Sequence, residues 1–235
     1  MRVIVVRHHA EDSAGFIGEA FEARGAELSV HFFPDDGPLP PFHGADHIIM
    51  LGAVPSVYDP KVSWIEPELA WLRAADEADI PVLGICYGAQ ELCTIFGGRV
   101  VAASQKEVGW KLIETARPDL IPAGPWLEFH GDKCEPPLEA AILARNEAGI
   151  QAFSIGRHLG VQFHPEVHGA MLREWMDAGG RPEALRAGVD PDAFLAQTIA
   201  EEPAARARAD RLVDTALRLA RAPSAAGVLA GQRCL

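Results

Sequence analysis

Cysteine is scarce in this sequence, and the few cysteines do not form close pairs. They stand at positions 86, 93, 134 and 234, a spacing that contains no Cys-x-x-Cys redox or zinc motif. At 235 residues the chain is also far longer than the small secreted domains that depend on disulfides. We therefore predict free thiols in a reducing, cytoplasmic location, and the question becomes which thiol is reactive.

Long apolar runs and an excess of positive charge are missing too. No stretch approaches the ~20 apolar residues that span a bilayer, and the apolar start of the chain is too short for a signal peptide. Aspartate and glutamate number 33 against 21 lysines and arginines, which gives a net charge of -12. Because such a chain repels phosphate backbones and anionic lipid surfaces, we predict neither nucleic acid nor a membrane as a partner.

The first half of the chain alternates between strand and helix patterns. Buried apolar runs alternate with helical periodicity, and Ser13 is a candidate N-cap for the first helix. This βαβ rhythm predicts an α/β fold with an open, mainly parallel, doubly wound sheet and helices on both faces. The predicted strands are 3–6, 28–33, 47–51 and 81–85, and the predicted helices are 13–24, 64–78 and 88–96.

The second half of the chain has a different pattern. Short apolar stretches separated by Gly, Pro and Asn predict added strands, several of them antiparallel. From His168 onward the chain reads as helical, most clearly over 204–220. With no linker to a second domain, we predict one domain over 1–222 and a flexible tail over 223–235. The added strands are predicted at 99–102, 111–115, 140–144, 150–155 and 159–163.

Cys86 stands at the junction between the fourth predicted strand and the helix that follows it. Open α/β sheets place their sites at the carboxyl ends of strands, and a helix N-terminus favours the thiolate form of a cysteine. Gly84 and Gly88 permit a tight turn, so the segment resembles a nucleophile elbow with Cys in place of Ser. The N–H of Tyr87 would then be free to bind an oxyanion.

A base and an orienting group for this thiol are found in Gln162-Phe163-His164-Pro165-Glu166. His164 follows a predicted strand, and Pro165 fixes the backbone between His164 and Glu166. We predict that Glu166 fixes the imidazole tautomer and that His164 accepts the thiol proton. The pair could instead bind a metal, but no second ligand pair has metal spacing, so no metal site is predicted.

The other thiols and histidines are predicted to be structural, as free cysteine and buried histidine commonly are. No role is argued for Cys234 in the tail. The predicted structural residues are Cys93, Cys134 (placed in a loop), His8, His9, His31, His43, His47, His158 and His168.

Together, Gly84–Gln90 and Gln162–Glu166 resemble the class I (triad) glutamine amidotransferases. The segment 51–59 looks like the family's oxyanion loop. Val108-Gly109-Trp110 and His130-Gly131-Asp132 are similar to the stand-alone branch, which is related to the amidotransferase domain of GMP synthase and to γ-glutamyl peptidases. The expected fold is therefore flavodoxin-like, with added antiparallel strands and a helical C-terminus.

The resemblance implies a role for each matching residue. Cys86 would attack the glutamine carboxamide and form a γ-glutamyl thioester, and His164 and Glu166 would complete the triad. The N–H groups of Ala53 and Tyr87 would form the oxyanion hole.

The substrate's amino-acid end would be bound by Gln90, by the backbone of Gly131 and Asp132, and by Gly52. The family usually has Gly-Gly-Pro where this chain has Gly52-Ala53-Val54. An alanine keeps the N–H, but it would be strained if the loop required a positive φ.

Three functions fit these residues. The first is a glutaminase that passes ammonia to a partner or to solvent, the second is a hydrolase of γ-glutamyl peptides or amides, and the third is a non-catalytic regulatory relative. The intact triad favours an enzyme. The chain shows no Gly-x-x-x-x-Gly-Lys phosphate loop, and the stretch after Glu166 is too short for a synthetase domain. We therefore expect no cofactor, and a separate synthetase subunit as partner if ammonia is channelled.

Overall fold

The computed structural model describes residues 1–222, so the predicted tail at 223–235, with Cys234, lies outside the described residues. These residues form a ten-stranded sheet and six α-helices. The strands are β1 (Arg2–Arg7), β2 (Glu27–Phe32), β3 (His47–Met50), β4 (Val82–Ile85), β5 (Arg99–Leu112), β6 (Glu114–Thr115), β7 (Pro125–Glu135), β8 (Ala141–Arg145), β9 (Ile150–Ile155) and β10 (His158–Val161). The helices are α1 (Gly15–Glu22), α2 (Ile65–Glu77), α3 (Tyr87–Ile95), α4 (Gly169–Trp175), α5 (Arg181–Arg186) and α6 (Pro191–Leu219).

The sheet has a parallel half and an antiparallel half. Its order is β2-β1-β3-β4-β10-β9-β7-β5, with β8 beside β9 and β6 beside β8. The pairs from β2 to β10 are parallel, and those beyond β10 are antiparallel. The chain leaves the parallel half after α3 and returns through β10, which pairs with β4. The predicted fold class is thus confirmed, with the added strands continuing the same sheet.

Alternate residues of the parallel strands face two separate helical layers. Val3, Val5 and Leu83 pack with α1 and α6, while Ile4 and Val6 pack with α2 and α3. Because successive side chains of a strand point to opposite faces, the continuous apolar runs bury both sides of the sheet, as expected for parallel strands.

The sequence patterns missed β7 entirely, and the prediction of Cys134 in a loop is wrong, because Cys134 is a buried residue of this strand. The side chains that β7 buries include the charged or polar Glu128 and His130. An apolar-run criterion therefore cannot detect the strand.

The first helix is shorter than predicted. Helix α1 begins at Gly15, with Ala14 at its N-cap position. Oγ of Ser13 accepts from the N–H of Gly15 at 3.3 Å, and the N–H of Phe16 donates to the backbone carbonyl of Glu166 at 3.0 Å. Helix α6 begins well before residue 204 and is capped by the carboxylate of Asp190. Among residues 1–222, no helix combines the length and apolar character that a bilayer crossing requires.

Candidate active site

Two neighbouring parallel strands bring Cys86 and His164 to the same edge of the sheet. In the register of β4 and β10, Ile85 pairs with Val161; Cys86 follows β4 directly, and His164 stands three residues after the end of β10. The N–H of Cys86 donates to the carbonyl of Val161 at 2.8 Å, which extends the pairing to Cys86 itself. The N–H of His164 donates to the carbonyl of Leu127 in β7 at 2.8 Å, so strand pairing and this bond together place the imidazole near the thiol.

The backbone of Cys86 is strained in the manner of a nucleophile elbow. Its φ is 53° and its ψ is -104°, a region that costs a non-glycine residue about 1–3 kcal/mol. The flanking glycines allow close packing: a Cβ on Gly84 would lie 2.4 Å from the carbonyl oxygen of Gly88, and one on Gly88 would lie 2.4 Å from that of Met50. Helix α3 can therefore begin directly after the thiol and direct its N-terminus at it.

His164 lies between a carboxylate and the thiol. Its Nδ1 is 2.7 Å from Oε1 of Glu166, and both side chains are buried. Burial acts to lower the pKa of His164, but the negative charges of Glu166 and Cys86 and the hydrogen bond to Glu166 raise that pKa well above its usual value. Because Nδ1 is engaged by Glu166, Nε2 is the nitrogen that serves the thiol. An imidazolium–thiolate pair is the form that attacks a carbonyl carbon.

Gln162 is a site residue that the sequence reasoning did not single out. Its Nε2 donates to Sγ of Cys86 at 3.6 Å. Its Oε1 accepts from Nε2 of Gln90 at 3.4 Å and from the Cys134 thiol at 3.8 Å. An amide donor at the sulfur favours the thiolate. The clue in the sequence was its position two residues before His164, which places both on the same face of the extended chain.

The predicted oxyanion loop (residues 51–59) lies against both catalytic side chains. A Cβ on Gly52 would lie 3.3 Å from Cε1 of His164 and 3.9 Å from Cβ of Cys86. In the described chain the non-glycine residues with positive φ are Asp79 and Cys86, so Ala53 is free of that strain. Tyr87 is the first residue of α3, and its N–H therefore has no partner within the helix.

Asp132 ties the oxyanion loop to β7. Its carboxylate accepts hydrogen bonds from Oγ of Ser56 at 2.5 Å and from the hydroxyl of Tyr58 at 3.0 Å. Its carbonyl accepts from Nδ1 of His130 at 2.8 Å. Gly131 and Asp132 both line the cavity beside Cys86.

His130 forms a buried charged cluster with two glutamates, which the sequence reasoning also missed. Its Nε2 lies 3.2 Å from a carboxylate oxygen of Glu107 and 3.1 Å from one of Glu128. Burial acts to lower the pKa of His130, but hydrogen bonds to both glutamates raise it to about 10. Burial raises the pKa of Glu128 to about 7.

These three side chains are the group within residues 1–222 whose ligand atoms are close enough to hold a metal ion. A charged imidazolium between the two carboxylates balances the same cluster without one. In either form it joins β5 to β7 beside Gly131.

Asp12 and Trp175 lie beside His164. Nε1 of Trp175 donates to Oδ1 of Asp12 at 2.8 Å, and the indole packs edge-on against the His164 ring, with centroids 5.0 Å apart. Burial, together with the charge of Glu166, raises the pKa of Asp12 to about 6. Asp12 therefore carries an unfavourable charge at neutral pH.

We expect Asp12→Asn to stabilise the fold at neutral and higher pH. The pKa of Asp12 is raised on folding, so the native state binds more protons and stability falls as pH rises from about 4 to about 6. Asparagine cannot ionise, and its Oδ1 can still accept from Trp175. Urea unfolding should show a gain of about 1–3 kcal/mol at about pH 8 that vanishes near pH 4. An equal gain at both pH values would show that the carboxylate charge is not the cause.

Most of the predicted site residues line a single cavity of about 550 Å³. Glu166 stands behind His164 rather than at the cavity wall, and the side chain of Tyr87 is buried in the core. The volume falls within the ~300–1,000 Å³ typical of small-molecule sites. The predicted residues that line it are Gly52, Ala53, Cys86, Gln90, Gly131, Asp132 and His164.

Comparison with known proteins gives consistent matches. The family model for class I glutamine amidotransferases matches residues 16–174. A GMP synthase (glutamine-hydrolysing) from Thermomicrobium roseum is 39% identical over 128 residues, which are 51% of this chain and 23% of that protein. A second GMP synthase, from Aeropyrum pernix, is 33% identical over 156 residues, or 58% of this chain and 30% of that protein. The chain thus matches less than a third of the length of these relatives.

A solved structure shows the same fold over nearly the whole chain. A glutamine amidotransferase from Thermotoga maritima superposes with a TM-score of 0.85 at 24% identity, covering 94% of this chain and 99% of that one. At this identity the likeness concerns the fold alone.

Proposed function

This chain belongs to the class I glutamine amidotransferase family, and we propose that it hydrolyses the side-chain amide of glutamine through a Cys86–His164–Glu166 triad. The observation that carries the proposal is the 2.7 Å bond from His164 to Glu166, with His164 buried at the wall of the same cavity as a thiol on a strained strand-to-helix turn. A buried histidine or a buried cysteine alone is commonplace. A thiol, a base and an orienting carboxylate in one chain of contacts form a nucleophilic site.

In the first half-reaction, the Cys86 thiolate attacks the carboxamide carbon, and the carbonyl oxygen becomes an oxyanion. The N–H groups of Ala53 and Tyr87 bind that oxygen in our proposal. As the tetrahedral intermediate collapses, the C–N bond breaks and His164 gives its proton to the departing ammonia. The product left on the enzyme is a γ-glutamyl thioester.

In the second half-reaction, water takes the place of ammonia. His164 accepts a proton from the water, whose oxygen attacks the thioester carbon, and the C–S bond breaks to release glutamate and the thiolate. Glu166 keeps Nδ1 protonated throughout and stabilises the imidazolium. Gln162 donates to the sulfur whenever it is negatively charged.

The amino-acid end of the substrate would lie at Gly52, Gln90, Gly131 and Asp132. The side chain of Gln90 is held by Gln162, and Gly131 and Asp132 are backed by the His130 cluster. These groups line the same cavity as Cys86. A γ-glutamyl group bound there would present its amide carbon to the thiol.

A γ-glutamyl peptide or amide is the second candidate substrate. It shares the thioester chemistry and differs only in the leaving group. The observation that favours it is the extent of the cavity beyond the triad, where His9, Glu11 and Trp175 add to its wall. Such space accommodates a leaving group larger than ammonia.

For the glutaminase alternative we propose a separate synthetase subunit as the ammonia acceptor. The GMP synthase relatives are about three or more times longer than their matched segments, so their full reaction does not transfer to this chain. We also propose a cytoplasmic location, since Cys86, Cys93 and Cys134 are all free thiols.

The test is to incubate the purified protein with glutamine and, separately, with a γ-glutamyl dipeptide. Released glutamate, ammonia and amino acid are measured, and Cys86 is probed with a glutamine-like electrophile such as 6-diazo-5-oxonorleucine. We expect modification of Cys86, protected by glutamine, and turnover of at least one substrate. Hydrolysis of the dipeptide but not of glutamine would favour a γ-glutamyl peptide hydrolase.

A glutaminase that depends on its partner can be silent on its own, so labelling is the more decisive readout. If neither substrate turns over and the electrophile does not modify Cys86, the chain is a non-catalytic relative. Labelling without turnover points to a partner-dependent glutaminase.

A further inference from the structure

The proposed oxyanion hole depends on the orientation of a single peptide unit. The C=O of Gly52 and the N–H of Ala53 belong to the same planar amide, and in a trans peptide they point in opposite directions. A group that holds the Gly52 carbonyl in place therefore also fixes the direction of the Ala53 N–H. The residue after this unit is Val54, which does not fix the backbone as a proline would, so the orientation needs another restraint.

His8 contacts that carbonyl from the side away from the cavity. It follows directly after β1 and is buried, and its Nδ1 lies 2.9 Å from the oxygen of Gly52. Since a carbonyl oxygen can only accept, Nδ1 must carry the proton. The other ring nitrogen, Nε2, lies 2.9 Å from Oε1 of Glu68 on α2.

The His8 ring is itself held on several sides. It stacks on Trp64 with centroids 5.2 Å apart and meets the Tyr87 ring edge-on at 5.3 Å. Beneath it, Glu68 and Glu91 are both fully buried. Burial, with the charge and hydrogen bond of Glu68, raises the pKa of Glu91 well above its usual value. Glu68 thus meets the Nε2 side of the His8 ring from a fully buried position.

We propose that His8 is the positioning residue of the oxyanion hole: by holding the Gly52 carbonyl, it directs the Ala53 N–H toward the carbonyl oxygen of a substrate at Cys86. The same cluster includes the side chain of Tyr87, whose N–H is the second proposed donor. One buried group of side chains thus supports both halves of the hole. The inference rests on the proposed function, and it assigns a role to a histidine that sequence patterns treated as structural.

The experiment compares His8→Asn with His8→Gln. The amide nitrogen of asparagine can occupy the place of Nδ1 and donate to Gly52, whereas that of glutamine reaches the place of Nε2. We expect His8→Gln to lower kcat about 10- to 100-fold with a smaller change in KM, because a displaced donor weakens transition-state binding. His8→Asn should retain kcat within about fivefold.

Two controls separate positioning from general damage to the fold. Iodoacetamide alkylates Cys86 by displacing iodide and forms no oxyanion, so its rate should change less than about threefold in either variant. His47→Leu removes another fully buried histidine, at the start of β3, and should leave kcat unchanged. A parallel loss of alkylation in His8→Gln would mean that His8 acts on the thiol, which would overturn the proposal.

Crystal structures of the two variants give a readout that does not need turnover. The Gly52–Ala53 peptide should keep its orientation in His8→Asn and rotate in His8→Gln. An unrotated peptide in His8→Gln refutes the role of His8, even if the wild-type protein hydrolyses nothing. Inactivity of the wild-type protein, by contrast, would refute only the proposed function.

Discussion

Replacing Cys86 by alanine is expected to reduce hydrolysis of the preferred substrate by about four to six orders of magnitude. No thioester can form without the thiol, and the remaining groups can only orient water. The expected residual rate is close to that of the unaided reaction, raised slightly by substrate binding and the oxyanion donors. Steady-state release of glutamate, measured at high enzyme concentration, checks this.

Cys93→Ala is the matched control for that variant. Cys93 lies in α3, the helix that follows Cys86, is equally free and buried, and does not line the cavity. It should retain turnover within about threefold, since its thiol has no part in the chemistry. If Cys86→Ala kept more than about one per cent of the activity, Cys86 would not be the nucleophile.

Replacing His130 by leucine is expected to destabilise the fold by about 3–5 kcal/mol near neutral pH. The variant keeps Glu107 and Glu128 buried with no cation between them. The pKa of His130 is raised from its usual 6.5 to about 10. Its contribution to stability is therefore fully present below about pH 6.5 and is lost as pH rises through about 10. We expect urea unfolding to give a smaller difference in the free energy of unfolding between wild type and variant at about pH 9.5 than at about pH 7.

Glu128→Gln serves as the comparison for this prediction. It removes one buried carboxylate while keeping an oxygen near Nε2 of His130. It should therefore lower the free energy of unfolding much less than His130→Leu does. Combining the two substitutions should restore part of the lost stability, since only one uncompensated charge remains. If His130→Leu were as stable as the wild type, the cluster would not be held by charge.

The parallel half of the fold could be predicted because its signals are local. Its central strands β1, β3 and β4 are mostly apolar runs, such as Val3 to Val6, whereas β2 alternates apolar and polar residues, and turn or helix signals follow each of them. The segments of the proposed triad could be picked out for a similar reason: His164 and Glu166 are two residues apart, and Cys86 stands in a glycine-flanked segment.

What the sequence patterns missed depends on contacts between distant parts of the chain. Strand β7 buries Glu128 and His130, and the charge of His130 is balanced by Glu128 and also by Glu107, which reaches it from β5. Likewise, the hydrogen bond to the buried Asp12 carboxylate comes from Trp175, 163 positions later in the chain. A single sequence carries no record of such pairs, so polar side chains there look like loop residues.

The pairing of β4 with β10 brings an inserted segment back to Cys86. Residues 99–155 leave the parallel sheet after α3 and return through β10, beside the strand that precedes Cys86. This insertion supplies Lys106, Gly131 and Asp132 to the cavity wall, and the carbonyl of Leu127 in β7 accepts from the N–H of His164 at 2.8 Å. Divergence among the insertion's cavity-lining residues can therefore change the leaving group that fits, as long as the contact between Leu127 and His164 is kept. A chimera carrying a relative's insertion on this chain's parallel half would be expected to inherit the relative's substrate preference.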